Sequence, residues 1–253
     1  MHRGFRFRLY PTPAQAETLG QWVGVTRLVY NLAFEQRRDF WRQFRACEGR
    51  SIGLASQGRE LTALRAVYDW IAAVPQSALE AALNDLDKAF AAFFGGAGFP
   101  TPRRLGQNDS VRFRGRDTGV RRLNRHWGEV RVPKLGWMRF RMSRPIQGSV
   151  QTMTIRRDAG RWHVTFACEV GAAPGSNPKP AIGIDRGVVN AISLSNGEHV
   201  RLPDLSALEK RRRRAQRVLA RRKRGSRRYA LQRKSLTRLA GKIGRVRSHA
   251  LHG

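Results

Sequence analysis

Apolar and polar side chains alternate from the start of the chain. In RGFRFRLY, residues 3–10, Phe5, Phe7 and Leu9 interleave with Arg6, Arg8 and Tyr10. A period of two predicts a half-buried strand with one core face and one cationic face. The period changes after Pro11: Thr12 suits an N-cap, Pro13 the first helical position and Gln15 the closing partner of a capping box. A helical pattern then runs from Ala14 to about Gly98, with Trp22, Val29, Leu32, Phe40 and Phe44 at apolar positions and breaks from Gly49 to Gly58. After Pro75, Leu79, Leu83, Leu86, Phe90 and Phe93 recur at spacings of three and four until Gly95-Gly96 ends the helix. The aromatics of that stripe share its apolar face, which marks them as core rather than base-stacking groups.

Alternation returns over residues 99–170 in VRFRG, EVRVPKLGWMRFRM, VQTMTIRRDAG and RWHVTFACEV, separated by Gly, Pro, Asp and Asn. These runs predict an antiparallel sheet or small β-barrel. Its outward positions carry Arg112, Arg114, Arg131, Arg139, Arg141, Arg156 and Arg157. Every second residue of a strand shares a face, so they predict a basic stripe, read as a binding surface because carboxylates are sparse there.

GAAPGSNPKP, residues 171–180, has the composition of a linker. AIGID and NAISLSNG predict two strands around a turn at Arg186-Gly187, and HVRLP a third after the Asn196-Gly197 hairpin signal. Ser206 and Glu209 form a potential capping box for a helix with Leu208, Ala215, Val218 and Leu219 inward and KRRRR and RRKR outward. Gly225-Ser226 interrupts it. Beyond, Tyr229, Leu236, Ile243 and Ala250 repeat at sevens, joined by Leu239 and Val246, as a heptad-like seam.

Composition sharpens this picture. The 253 residues hold 49 Lys and Arg against 18 Asp and Glu, a net charge of +31. Such an excess calls for a polyanion, and nucleic acid supplies one through counterion release. No run has the length and apolarity of a membrane span, and the N-terminus lacks a signal-peptide core, so a cytoplasmic, nucleoid-associated protein is expected. Cys47 and Cys168 lie far apart and suggest neither a disulfide framework nor a CxxC zinc site. No small-molecule substrate is implied, and oligomeric state is not legible.

Two readings of Asp185 stand side by side. Asp-Arg-Gly is good turn chemistry, since Asp bonds its own backbone and Gly accepts positive φ. A carboxylate at the end of an apolar strand also suits a two-metal nuclease site, where Mg²⁺ ions activate water and stabilise a leaving oxygen. One Asp is insufficient for that. The later carboxylates are Glu198, Asp204 and Glu209, of which Glu198 reads as a solvated turn residue; His249 and His252 read as a frayed end rather than a ligand pair.

Four stretches carry a family resemblance: FRFRLYPTPAQAETLGQWVGVTRLVYNLAF, VPQSALEAALNDLDKAFAAFF, VPKLGWMRFRMSRP, and AIGIDRGVVNAISLSNGE followed by QRVLARRKRGSRR. In this order they resemble the N-terminal part of the TnpB/OrfB family, transposon-encoded RNA-guided DNA endonucleases related to compact type V CRISPR effectors. The resemblance implies an α+β fold. Residues 1–10 with 99–170 would form a wedge-like β-barrel, 11–98 a helical recognition or helix-turn-helix-like insertion, 171–180 a linker, and 181–253 the N-terminal part of a RuvC-like RNase H fold with arginine-rich helices.

It further implies that Asp185 matches the first catalytic acid, with Mg²⁺ as the metal of the complete family site. In the family, the second acid, CxxC zinc pairs and the third acid lie further along, beyond the HALHG that closes this sequence. The expectation is therefore a C-terminally truncated, transposase-like protein that binds guide RNA and DNA, holds no metal or zinc stably, and does not cleave by itself. Its expected nucleic-acid contacts are Arg6, Arg8, Arg112, Arg114, Arg139 and Arg141 on the sheet, then Arg211, Arg212, Arg213, Arg214, Arg221, Arg222, Lys223 and Arg224 on the helices. Whether it is an enzyme stays open. The alternatives are a Mg²⁺-dependent endonuclease once the remaining C-terminal part is supplied, and a non-specific basic RNA-binding protein. Family-type recognition would read a heteroduplex by shape and a short flanking DNA motif by base contacts.

Overall fold

The structure, a computed structural model, describes residues 1–44, 52–107, 109–171, 180–185, 187 and 190–252, the side chain of His252 excepted. Cys47, Gly49, most of the expected linker and Arg186 lie outside the described residues. Two compact units result: Met1–Arg157 with Arg161–Gly171, and Asp158–Gly160 with Ala172–Gly253.

In the first unit, β1 (His2–Tyr10) leads into α1 (Pro13–Phe44), α2 (Leu54–Val67), α3 (Asp69–Ala72) and α4 (Gln76–Phe94). Six strands follow: β2 (Ser110–Arg114), β3 (Gly119–Arg122), β4 (Trp127–Val132), β5 (Gly136–Arg141), β6 (Ser149–Asp158) and β7 (Arg161–Glu169). The expected capping box opens α1. The Thr12 amide donates to Gln15 Oε1 at 3.0 Å, and the Gln15 amide to Thr12 Oγ1 at 3.3 Å. Gln15 Nε2 also donates to the carbonyls of Leu135 and Trp137, tying the helix start to β5.

Three details of the helical reading change. Leu32 is 51% exposed and Phe44 40%, because the buried stripe of α1 runs through Leu19, Trp22, Val23, Thr26, Val29, Tyr30, Ala33, Phe34 and Arg37 instead. Gly58 lies within α2 rather than in a break. Arg37, buried among these groups, donates to Gln57 Oε1 and Asp87 Oδ1, both at 2.9 Å, so a cation sits where hydrophobicity alone expects an apolar residue. At the other end of the layer, α4 closes as expected, with Gly96 taking φ +97°.

The sheet order among the described residues is β2-β6-β7-β1-β5-β4-β3, with β2 and β3 at its ends. The strands expected from 1–10 and 99–170 thus pair among themselves in one seven-stranded sheet. Short β3 escaped the sequence reading because four residues give too little alternation. Burial follows the predicted period of two: Phe5, Phe7 and Leu9 are buried while Arg6, Arg8 and Tyr10 are exposed. On the inner face Phe7, Phe140 and Phe166 form an aromatic triangle with centroids 5.3–6.1 Å apart. The core continues into the helices, where Trp22 of α1 meets Phe113 of β2 edge-on at 6.3 Å.

One close approach is specified by glycine. Gly128 pairs with Phe140 across β4 and β5, and a Cβ there would lie 2.6 Å from Phe140 Cζ and 2.8 Å from Met142 Cε. Gly128→Val is expected to destabilise this unit by about 2 kcal/mol, the usual cost of overpacking a filled core. Urea denaturation measures it, and an unchanged midpoint would show that Phe140 has room to move.

The second unit has three short strands, β8 (Ile184–Asp185), β9 (Ile192–Leu194) and β10 (His199–Val200), paired antiparallel in the order β10-β9-β8. The expected hairpin is present: Gly197 has φ +86°, and Leu194 N donates to Glu198 O at 2.8 Å. Two helices complete it, α5 (Ser206–Ala220) and α6 (Arg227–His252). Asp204, not Ser206, serves the start of α5. Its carboxylate accepts from the Ser206 amide at 2.8 Å and hydroxyl at 2.9 Å, which holds it below the ordinary carboxylate range. Glu209 is drawn instead to Arg247 of α6 at 2.7 Å. The seam of α6 matches expectation, with Ile243 buried and Tyr229, Leu236, Leu239, Val246 and Ala250 half-buried. No described helix is long and apolar enough to cross a membrane.

Candidate nucleic-acid interface

The outward face of the sheet is assembled by strand register. Arg121, Glu129, Arg139 and Tyr10 form one row across β3, β4, β5 and β1. Trp127, Arg141 and Arg8 form the neighbouring row, and Arg131 pairs with Trp137 on the other side. Local alternation puts each side chain outward; register makes them neighbours.

Cations lie over rings throughout this face. The guanidinium carbon of Arg8 is 4.8 Å from the Tyr10 centroid, that of Arg141 is 5.4 Å from Trp127, and that of Arg121 is 4.2 Å from Trp137. Tyr10 and Trp127 meet edge-on at 5.3 Å. Glu129 accepts from Arg121 at 2.7 Å and from Arg139 at 3.3 Å. The Arg121 hydrogen bond, followed by that of Arg139, holds its carboxyl below the ordinary range, although partial desolvation opposes this. One carboxylate thus faces two guanidiniums, and the surface stays cationic.

The sequence reading missed Trp127, Trp137, Tyr10 and Arg121 as parts of this site. The signal was present in the alternation, since each aromatic occupies the polar phase of its strand.

Arg112 and Arg114 are placed differently from the outward stripe expected for them. Arg112 donates to Asp85 and the Ala81 carbonyl, and Arg114 to Glu80, all three on α4. Asp85 also accepts from Arg103 Nη2 at 2.7 Å. These ion pairs bind β2 to α4 because helix packing covers the strand where the period-two argument left it open to solvent.

Near the start of α4 lies a cleft of about 750 Å³ whose lining includes Arg65, Ser77, Arg114, Arg116, Lys134 and Trp137. Several of its cations are engaged internally. Arg65 donates to the carbonyls of Ile71, Ala72 and Val74, and Lys134 Nζ to Ala72 O at 2.6 Å, so both cap the orphan carbonyls that end α3. Arg116, with its side chain 75% exposed on the rim, stands 3.9 Å from the Asp117 carboxylate.

In the second unit, Glu209 is the single carboxylate between Ser206 and His252. Arg211, Arg213, Arg214, Arg221, Lys223 and Arg224 are exposed, as read from the sequence. Arg212 and Arg222 depart from the all-outward placement. Both are half-buried, in step with Leu208, Ala215 and Leu219, and Arg212 Nε is buried without a hydrogen-bond partner. Val218, expected inward, is 39% exposed. The inner stripe advances by four and three residues, which selects 212 over 218.

Asp185 lies exposed on the short strand β8, paired with Ser193. Among the described residues no three His, Cys, Asp or Glu side chains converge as a metal-binding group. A Mg²⁺ site needs several oxygen ligands in near-octahedral geometry, so the donors described around Asp185 do not by themselves fit that ion.

Two family models match the chain. One described as "Helix-turn-helix domain", of the OrfB IS605 type, covers residues 1–46, and one described as "Probable transposase", of the same type, covers 165–253. Within the first match, Pro13–Phe44 is one continuous helix. Over 99% of its length the chain is 28% identical to the "Putative RNA-guided DNA endonuclease InsQ" of Escherichia coli strain K12. It is 31% identical, again over 99%, to a "Putative RNA-guided DNA endonuclease" of Streptomyces pristinaespiralis. The chain spans 61% and 62% of the lengths of these two relatives. Solved structures matched at 13% identity include a CRISPR-Cas12f ternary complex, with TM-score 0.45 over 92% of this chain and 58% of that one. A Cas12f1-sgRNA-target DNA complex matches with TM-score 0.38 over 97% and 65%.

Proposed function

Because the chain belongs to the TnpB/OrfB family, we propose that it is a nucleic-acid-binding protein of the RNA-guided DNA endonuclease type, with guide RNA and DNA as partners. The observation that carries this reading is the arginine surface of α5 and the segment after it, where exposed cations stand together against one carboxylate. Such a surface neutralises successive phosphates and gains affinity as counterions leave.

In this reading the seven-stranded sheet is the wedge-like domain, and β8–β10 with α5 open a RuvC-like RNase H fold. Asp185 is its first metal-binding acid. In a complete site Mg²⁺ would activate the attacking water and stabilise the leaving oxygen. Residues 1–253 supply the grip on nucleic acid, while hydrolysis requires further carboxylates brought to Asp185.

The test uses the 253-residue chain with RNA and DNA probes over a salt series, and in parallel a Mg²⁺ cleavage assay. Binding is expected to weaken steeply with salt, and Asp185→Ala is expected to change affinity by less than about twofold, the usual range for an exposed side chain away from the contacts. Salt-independent binding would refute the electrostatic grip. Mg²⁺-dependent cutting by this chain alone, lost on Asp185→Ala, would refute the division between grip and hydrolysis.

A further inference from the structure

We propose that the outward face of β3, β4, β5 and β1 is a stacking platform for unpaired nucleotides, with Tyr10, Trp127 and Trp137 taking base faces and Arg8, Arg139 and Arg141 taking the flanking phosphates. This rests on the nucleic-acid reading above and narrows it to one class of ligand at one surface.

The argument starts from where large aromatics stand. The inner face of this sheet is already filled by Phe7, Phe140 and Phe166, so Tyr10, Trp127 and Trp137 are not needed to complete that core. Tyr10 and Trp137 are each 39% exposed. Register gathers all three on adjacent strands, with Tyr10 and Trp127 in edge contact at 5.3 Å.

Their surroundings select the ligand. An apolar peptide gains nothing from rings flanked by guanidiniums, whereas a nucleotide pairs a flat aromatic base with an anionic phosphate. A duplex is a poorer match, because its base faces are occupied by stacking and only edges and phosphates are presented. Unpaired bases have free faces, and a sheet carrying aromatics among cations accepts them with little regard to sequence. Glu129 pairs with Arg121 and Arg139 and draws both guanidiniums toward itself, while Arg8 and Arg141 lie over the Tyr10 and Trp127 rings, from which a stacking base would displace them toward its own phosphates.

The experiment measures fluorescence anisotropy of the full chain with labelled single-stranded RNA and single-stranded DNA of about 12 nucleotides and with a duplex of equal length. The variants are Trp127→Leu/Trp137→Leu and Trp127→Phe/Trp137→Phe. Loss of two stacking faces is expected to weaken single-strand binding by about twentyfold or more in the leucine variant, since each base stacked on an aromatic contributes strongly. Duplex affinity and the salt slope should stay at the wild-type level, and the phenylalanine variant should retain most single-strand affinity.

A loss equal on duplex and single strands, no loss on either single strand, or equal losses in the leucine and phenylalanine variants would each overturn the platform. Failure of the wild-type chain to bind any probe would instead overturn the nucleic-acid reading beneath it.

Discussion

Replacing Arg211, Arg213 and Arg214 together with glutamine is expected to lower affinity for duplex DNA by about two to three orders of magnitude at 0.1 M salt. Each phosphate contact on B-DNA contributes about 0.9 to the slope of log affinity against log salt, so losing three should flatten that slope by about 2.7. Glutamine is chosen because its helix propensity is close to that of arginine, which leaves α5 intact while removing the charge. Filter binding between 50 and 200 mM salt, a range of about fourfold over which such contacts are readily resolved, measures both quantities.

Arg212 is the internal control. Its Nε is buried, and its side chain follows the inner stripe with Leu208, Ala215 and Leu219. Arg212→Gln should therefore leave the salt slope nearly unchanged. A triple variant with the wild-type slope would remove these three arginines from the phosphate contacts, whatever its affinity.

The second large effect concerns the sheet. Phe140→Ala is expected to destabilise the first unit by about 3 to 5 kcal/mol, the range for deleting a fully buried phenyl ring. Phe140 is fully buried, stands 5.3 Å from Phe7 and 5.6 Å from Phe166 between ring centroids, and covers the bare backbone of Gly128. Removing it leaves a cavity against three strands that are stiffened by mutual pairing and close poorly around a void. Urea denaturation followed by tryptophan fluorescence reads the loss. A cost below about 1 kcal/mol would mean that the neighbouring rings refill the space.

These two variants separate charge from scaffold. The first alters the polyanion grip of one helix without touching a core, and the second loosens the strands that carry Arg139, Arg141 and Trp127 in register without removing a charge. A nucleic-acid defect in Phe140→Ala that scaled with its loss of stability would place the sheet face among the contacts through its rigidity.

Local pattern was legible wherever it reached solvent or core without competition. The alternation of Phe5, Phe7 and Leu9, the Thr12–Gln15 capping box, the Asn196-Gly197 hairpin and the seam through Ile243 depend only on residues close in sequence, and all stand as read. Where another partner competed, whether a near neighbour or a second element, the first reading failed. Ser206 and Glu209 have the spacing of a capping box, yet Asp204 binds the Ser206 amide and Arg247 draws Glu209 away. Arg112 and Arg114 sit in the polar phase of β2, but α4 brings Asp85 and Glu80 to them.

The period of each strand and helix and the cationic character of the chain were readable from the residues alone, because these are properties of neighbours along the chain and of composition. Only the tertiary structure decided which arginines are spent on internal carboxylates and carbonyls and which remain for a ligand. It also decided that Tyr10, Trp127 and Trp137 share one surface. The physical reason is common to both: ion pairs and stacked rings act over a few ångströms between residues tens of positions apart, and strand register and helix packing alone set those distances.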